Sequence, residues 1–318
     1  MRDAGDMTDP ANDSSERLRC SVGARGEQLA GTAAVDAAYL LVEHPGPWGR
    51  KALAESGLPE HVRTGLAEAA DEAGVRVQLI RRHGRTPSTE AFRVFLGHAA
   101  PGAAWLETTV LEVADDLLDL DLDGLAEGRS AGLEPVEHQL LLVCTNGRRD
   151  ACCAEFGRPV ATALSATHPQ ETWETTHLGG HRFAGAMLAL PHGISYGRLD
   201  VDSAARVARA TLAGELVPEL MRGRTAYAPA VQAAEIALLG RLGERRVEGL
   251  ELVEVSPPAQ ATSTPATTSS VVFRHARDGD TQVHRVLVTE TPGTPVRTSC
   301  ADAASKPTRR FRIEIGRS

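Results

Sequence analysis

Two stretches of this chain share one pattern: a short apolar run, a loop bearing glycine, then a helix-forming segment. The first is YLLVEHPGPWGR from Tyr39, and the second is LLLVCTNGRRD from Leu140. A buried strand that feeds a helix through a short loop leaves few architectures, chiefly a sheet with helices packed on it, so the expected fold class is α/β. A degenerate duplication would explain the repetition, although strand–loop–helix is a common unit.

Other segments fill in the plan. Residues 33–44 read as a buried strand ending at Pro45-Gly46-Pro47, and 59–73 as a helix with Pro59 in its first turn and Gly74 as its stop. Val75–Ile80, 92–96 and 105–113 read as strands. The acidic stretch 115–130 reads as a solvated helix or linker. A helix is expected over 151–167, a hairpin around Pro191-His192-Gly193, and helices over 202–222 and 228–242. The Ser/Thr/Pro-rich stretch 256–270 is expected to be a linker or long loop, and a hairpin turns at Asp278-Gly279-Asp280. Phe311–Ile315 is the last strand candidate. These readings divide the chain into a disordered tail (1–25), an N-terminal half (26–125), a second half (126–249) and a linker with a small β-rich extension (250–318).

The chemistry concentrates in two segments, C-T-N-G-R-R-D-A-C-C from Cys144 and H-L-G-G-H-R-F-A-G from His177. Soft metals take thiolates, and thiolates form in electropositive surroundings, which Arg148 and Arg149 would supply. Asp150 is a plausible N-cap for the following helix, placing Cys152 and Cys153 in its first turn, where the helix dipole favours a thiolate. His177 and His181 are four apart, but Gly179-Gly180 between them opposes a helix, so they are expected on a loop. The glycines would let backbone approach a bulky ligand. Two imidazoles on one short loop can clamp a borderline metal. For Cys20, Cys300, His44, His83, His98 and His192 the plain reading, packed or solvated, is preferred. Zinc accepts two Cys and two His, and H-x3-H is a usual zinc spacing, but C-x8-C is wider than usual and suits a larger group such as a two-iron cluster.

The stretch from Leu141 to Leu199 resembles the sucrase/ferredoxin-like family, a branch of the thioredoxin-like ferredoxins. The residues that carry the resemblance are VCTNGRRDACCAEFGRP (Val143–Pro159) and WETTHLGGHRFAGAMLALPHGISYGRL (Trp173–Leu199). It implies a thioredoxin-like fold, here as two halves packed together. It also implies a [2Fe–2S] cluster on Cys144, Cys153, His177 and His181, with Cys152 as the alternative thiol. The N-terminal half would then lack ligands, its matching loop offering only Glu43 and His44. Arg148, Arg149 and Arg182 would hydrogen-bond cluster sulfurs, dock an acidic redox partner, or simply be solvated.

The expected role is therefore one-electron transfer, carrier rather than catalyst, with a redox protein or reductase as partner. Neutral His ligands should raise the potential and couple the electron to a proton. The rivals are a structural Zn²⁺ module and a thiol–disulfide protein, the latter disfavoured because no C-x-x-C occurs. A glycosidase needs two opposed carboxylates, and no spacing among Glu155, Glu171, Glu174 and Asp200 singles out a pair. The net charge of −8 argues against nucleic acid as a partner. No apolar run reaches membrane-spanning length, the N-terminus lacks a secretory pattern, and five cysteines are too few for a disulfide scaffold, so a cytoplasmic, membrane-free protein is expected.

Overall fold

The computed structural model describes residues 18–84, 91–260, 266–277 and 279–316, with the backbone alone at 257–260. In chain order the elements begin with a single-turn helix α1 (Cys20–Gly23), strand β1 (Ala38–Glu43), helix α2 (Glu60–Ala73) and strands β2 (Val75–Arg81), β3 (Phe92–His98) and β4 (Trp105–Leu111). A short helix α3 (Leu122–Ala126) and a two-residue strand β5 (Glu134–Pro135) follow. The second half holds β6 (Leu140–Cys144), α4 (Ala151–Thr167), β7 (Thr172–Thr175), β8 (Met187–Leu190), β9 (Ile194–Tyr196), α5 (Val201–Leu212), β10 (Met221–Arg224) and α6 (Pro229–Leu242). The C-terminal region adds β11 (Leu250–Gln260), β12 (Thr267–Arg277), β13 (Asp280–Val296) and β14 (Lys306–Ile315).

Ten strands form one mixed sheet in the order β10-β9-β8-β6-β7-β2-β1-β3-β4-β5. The two repeated segments are the parallel pairs within it: β1 runs beside β2 through α2, and β6 beside β7 through α4. In each half an antiparallel strand then adds to the other side of the first strand, β3 on β1 and β8 on β6, and a further antiparallel strand extends it. The two halves thus share a strand order, the repetition visible in the sequence. They join where β2 pairs antiparallel with β7, Ile80 opposite Thr175 and Arg81 opposite Glu174.

Alternation sorts the apolar residues between layers. In β1, Ala38, Leu40 and Val42 pack with Val62, Leu66 and Ala70 of α2, while Tyr39 and Leu41 face the other side with Leu142, Cys144 and Trp173. In β6, Leu141 and Val143 join Val160, Ala161 and Leu164 of α4. The separate antiparallel sheet β11-β12-β13-β14 packs Val271, Phe273, Val286 and Val288 against α6 residues such as Val231, Leu238 and Leu239, so its buried face shares a core with the second half.

Most expected elements lie where the patterning put them, α4 to the residue. Four expectations need correction. The helix expected over 202–222 stops at Leu212, because Gly214 adopts a left-handed conformation (φ 73°) and Pro218 starts a separate single turn before β10. The stretch 256–270 is strand rather than loop at both ends. Ser256 pairs with Ser270 and Ala259 with Thr268, with a register shift between Ser256 and Ala259; residues 261–265 lie outside the described residues. The acidic stretch is not wholly solvated, since Leu117, Leu122 and Leu125 are buried against α2 and its strands. The tail expected over 1–25 lies outside the described residues up to 17, but Cys20–Gly23 forms α1 and Cys20 is buried.

Candidate metal centre

β6 is buried along its whole length and ends at Cys144, whose N–H donates to the carbonyl of Ala186. The loop that follows turns on Asn146, whose carboxamide Oδ1 accepts from Arg149 N (3.2 Å) and whose Nδ2 donates to Gly49 O (3.2 Å). Asp150 caps α4 as expected, its Oδ1 accepting from Cys152 N at 3.0 Å. Cys153 then sits in the first helical turn, with its thiol turned to Cys144. Gly157, one turn further on, lets the helix lie on the Cys144 carbonyl: a Cβ at 157 would stand 2.0 Å from Cys144 O.

The histidine segment is a loop ending in one tight turn at His181–Phe183, as its paired glycines predict. Gly179 and Gly180 are both left-handed (φ 85° and 68°), and a Cβ at 180 would meet the Arg222 guanidinium at 2.7 Å. Arg222 is fully buried and spans the loop. Its Nη1 donates to Gly179 O (2.9 Å), Nη2 to Thr32 O, and Nε to Thr32 Oγ1 (3.3 Å), while burial lowers its pKa to about 9. The N-terminal half reaches the same loop: Arg76 Nη2 and Gln78 Nε2 donate to His177 O at 3.0 and 3.4 Å. Nothing local in the sequence marks Thr32, Arg76, Gln78 or Arg222 for this task.

These segments bring Cys144 Sγ, Cys153 Sγ and a His177 ring nitrogen within 4.8 Å of one another, with Cys153 Sγ 3.7 Å from His177 Nδ1. The His177 and His181 rings stack at 4.3 Å between centroids. His181 Nδ1 is buried and has no hydrogen-bond partner among the described residues, the state expected of a nitrogen that donates its lone pair to a metal. The thiols are a coupled pair. Hydrogen bonds from Cys153, then from His177 and Leu178 N–H, outweigh burial and hold the Cys144 thiol well below its ordinary range, whereas Cys153, the donor, is pushed up. Burial lowers His181 to about 4, which keeps the imidazole neutral. Two buried thiols, two imidazoles and one orphaned ring nitrogen suit a soft or borderline metal group, a two-iron cluster included.

Three expected participants lie elsewhere. Cys152 faces away from Cys144 and His177; successive residues of a helix point about 100° apart. Its Sγ lies 3.5 Å from Cys20 Sγ and 3.3 Å from Cys300 Sγ, and accepts from Ser21 Oγ at 3.3 Å. The Cys20 hydrogen bond leads the effects that bring its thiol down to about 6 despite burial. Arg182 does not face the sulfurs but forms a two-pronged ion pair with the buried Glu27 (2.6 and 2.8 Å). Arg148 is exposed. Cys20 and Cys300, expected to be ordinary packed or solvated thiols, join Cys152 and Asp150 in a second group within 4.8 Å. No local spacing could have announced it, since Cys20 and Cys300 are 280 residues apart.

The family model described as sucrase/ferredoxin-like matches residues 29–223, more than half of the chain. No curated protein and no solved structure matches it. No helix among the described residues is long and apolar enough to cross a membrane.

Proposed function

The chain belongs to the sucrase/ferredoxin-like family, and from that premise we propose that it is a one-electron carrier whose [2Fe–2S] cluster is held by Cys144, Cys153, His177 and His181. The observation that carries this is the convergence of two buried thiols and His177, with His181 stacked beside it and the His181 Nδ1 unpartnered among the described residues. When bound, such a cluster supplies reversible one-electron chemistry, and imidazole in place of thiolate raises its potential. The chain's own residues supply the rest. Cys144 and Cys153 lie in the protein interior, while His177 and His181 are only partly buried, so the imidazole edge is the side open to a partner. The negative charge of a reduced cluster would raise the proton affinity of the His177 or His181 ring, neutral without it, and a proton taken up there would make the potential fall as pH rises. Arg222, Arg76 and Gln78 fix the His177–Gly180 backbone, so the imidazoles are positioned before any metal arrives. A redox protein or reductase is the partner this role requires.

Anaerobic purification followed by iron and acid-labile sulfide analysis, then EPR of the reduced protein, tests the proposal. About two irons and two sulfides per chain, with a Rieske-type signal, are expected for mixed Cys/His ligation. A potential independent of pH between about 6 and 9 would remove the proton coupling. The same three converging donors could hold a single Zn²⁺. Colourless protein whose zinc is lost on Cys144→Ser would establish that structural reading instead.

A further inference from the structure

We propose that Cys20, Cys152 and Cys300, with Asp150, form a second metal site, one that takes a single zinc-class divalent ion. The site is separate from the Cys144 group, and the argument does not rest on the electron-carrier reading.

The sulfur triangle is the first observation. The three Sγ–Sγ separations are 3.3, 3.5 and 3.7 Å. A tetrahedral ion with metal–sulfur bonds of about 2.3 Å holds its sulfurs about 3.8 Å apart, so the three thiols already mark three vertices of one such tetrahedron. None of the three is in a disulfide. The fourth vertex falls to the Asp150 carboxylate, whose Oδ1 is 3.9 Å from Cys20 Sγ. That carboxylate is itself fixed: Oδ1 accepts from Cys152 N, and Oδ2 from Ser299 Oγ and Cys300 N at 2.8 Å each.

The second observation is electrostatic. Cys20, Cys152 and Asp150 are buried and Cys300 is half-buried. Binding an ion would deprotonate the thiols, and three thiolates beside a carboxylate are stable only with a cation among them. Neither nearby arginine donates to a sulfur among the described residues. Arg19 pairs with Glu155 at 2.6 Å, and Arg297 donates to the carbonyls of Cys300 and Leu18 rather than to a sulfur. A divalent ion supplies the missing charge, and a thiolate-rich donor set selects zinc over the hard cations.

The third is topology. The donors come from α1, the first turn of α4 and the loop between β13 and β14. One ion would tie the start of the chain, the C-terminal sheet and the helix that carries Cys153. In this arrangement Cys152 and Cys153 serve two metals on two sides of one helix start.

Elemental analysis of zinc and iron in the full chain, purified with its thiols reduced, decides the matter. Wild type should carry about one zinc per chain, lost in Cys20→Ser and in Cys300→Ser with iron content unchanged, whereas Cys144→Ser should lose iron and keep zinc. Because the serine variants could fold poorly, cadmium titration of the metal-stripped wild type provides a second reading. Its thiolate-to-cadmium absorbance should saturate at the intensity of five thiolates, three more than the Cys144–Cys153 pair provides. Zinc-free wild type that takes up no third thiolate's worth of cadmium would overturn the proposal. So would zinc that survives both variants, or a mass lower by two hydrogens showing a disulfide in place of metal. Iron-free protein that loses zinc only with Cys20 or Cys300 would sink the electron-carrier reading and leave this one standing.

Discussion

Gly157→Ala probes how closely α4 is seated on the metal loop. Residue 157 lies one turn past Cys153 on the same helix face, and its missing side chain leaves room for the Cys144 carbonyl. An alanine Cβ would stand 2.0 Å from Cys144 O and 3.1 Å from Cys144 C, where contacts under 3.0 Å are essentially never seen. The obstacle is backbone, so no rotamer change relieves it, and α4 or the Cys144 strand end must give way by about 1 Å. In a helix interior Gly→Ala by itself stabilises by about 0.5–1 kcal/mol, while overpacking costs about 1–3 kcal/mol, so the variant should be destabilised by about 1 kcal/mol net. Gly240→Ala in α6 is the control: the same substitution with nothing within 4 Å of the new Cβ. It should stabilise, leaving the two variants about 2 kcal/mol apart in denaturant unfolding. The larger effect should be on metal. Ligand distances tolerate about 0.2 Å, so if Cys144 and Cys153 hold iron as proposed, a shift of about 1 Å between them should cost most of it. If Gly157→Ala is as stable as Gly240→Ala and keeps its iron, the close seating of α4 on Cys144 is wrong.

Three shorter tests follow. Cys153→Ser should lose iron, as Cys144→Ser should, and elemental analysis reads both; retained iron in Cys153→Ser would reassign the ligand to the neighbouring thiol. Burial opposes charge on Glu174, but hydrogen bonds from His83, Arg81 and Thr145 outweigh it and hold the carboxyl below its ordinary 4.5. A depressed carboxylate stabilises the fold above its unfolded pKa, and that contribution fades as pH falls below about 4.5; acid titration of Glu174→Gln should therefore show a shallower loss than wild type. Glu235→Ala would leave Arg224, almost fully buried and paired with it at 3.0 Å, without its counter-ion, which should cost about 3–5 kcal/mol in urea unfolding.

What the sequence disclosed was local. Asp150 as a cap, α4 to the residue, the C-x8-C pair and the loop around Gly179-Gly180 follow from spacings of ten residues or fewer, whereas the joining of His177 to the cysteines, 24 residues from Cys153, was implied by the family resemblance. The two-fold repetition was also legible, because both parallel pairs print the same apolar run and glycine loop. What stayed hidden depends on tertiary position. Arg76 and Gln78 clamp His177 O only because β2 happens to sit beside β7, which gives the N-terminal half a supporting task that no motif records. The choice between Cys152 and Cys153 turns on the rotation of a helix about its axis, which its neighbours fix and the C-C pair does not.

That rotation has a consequence for the whole molecule. Cys153 faces the sheet and Cys152 faces α1 and the C-terminal loop, so one helical turn carries donors for two groups of thiols. A substitution that moves the helix, such as Gly157→Ala, should disturb both groups, because both hang from the same backbone. A substitution at the far end of either group, Cys300→Ser or Cys144→Ser, should disturb only its own. Metal contents that fall together in the first case and separately in the second are what a shared scaffold with independent donor sets requires, and contents that always fall together would mean a single site.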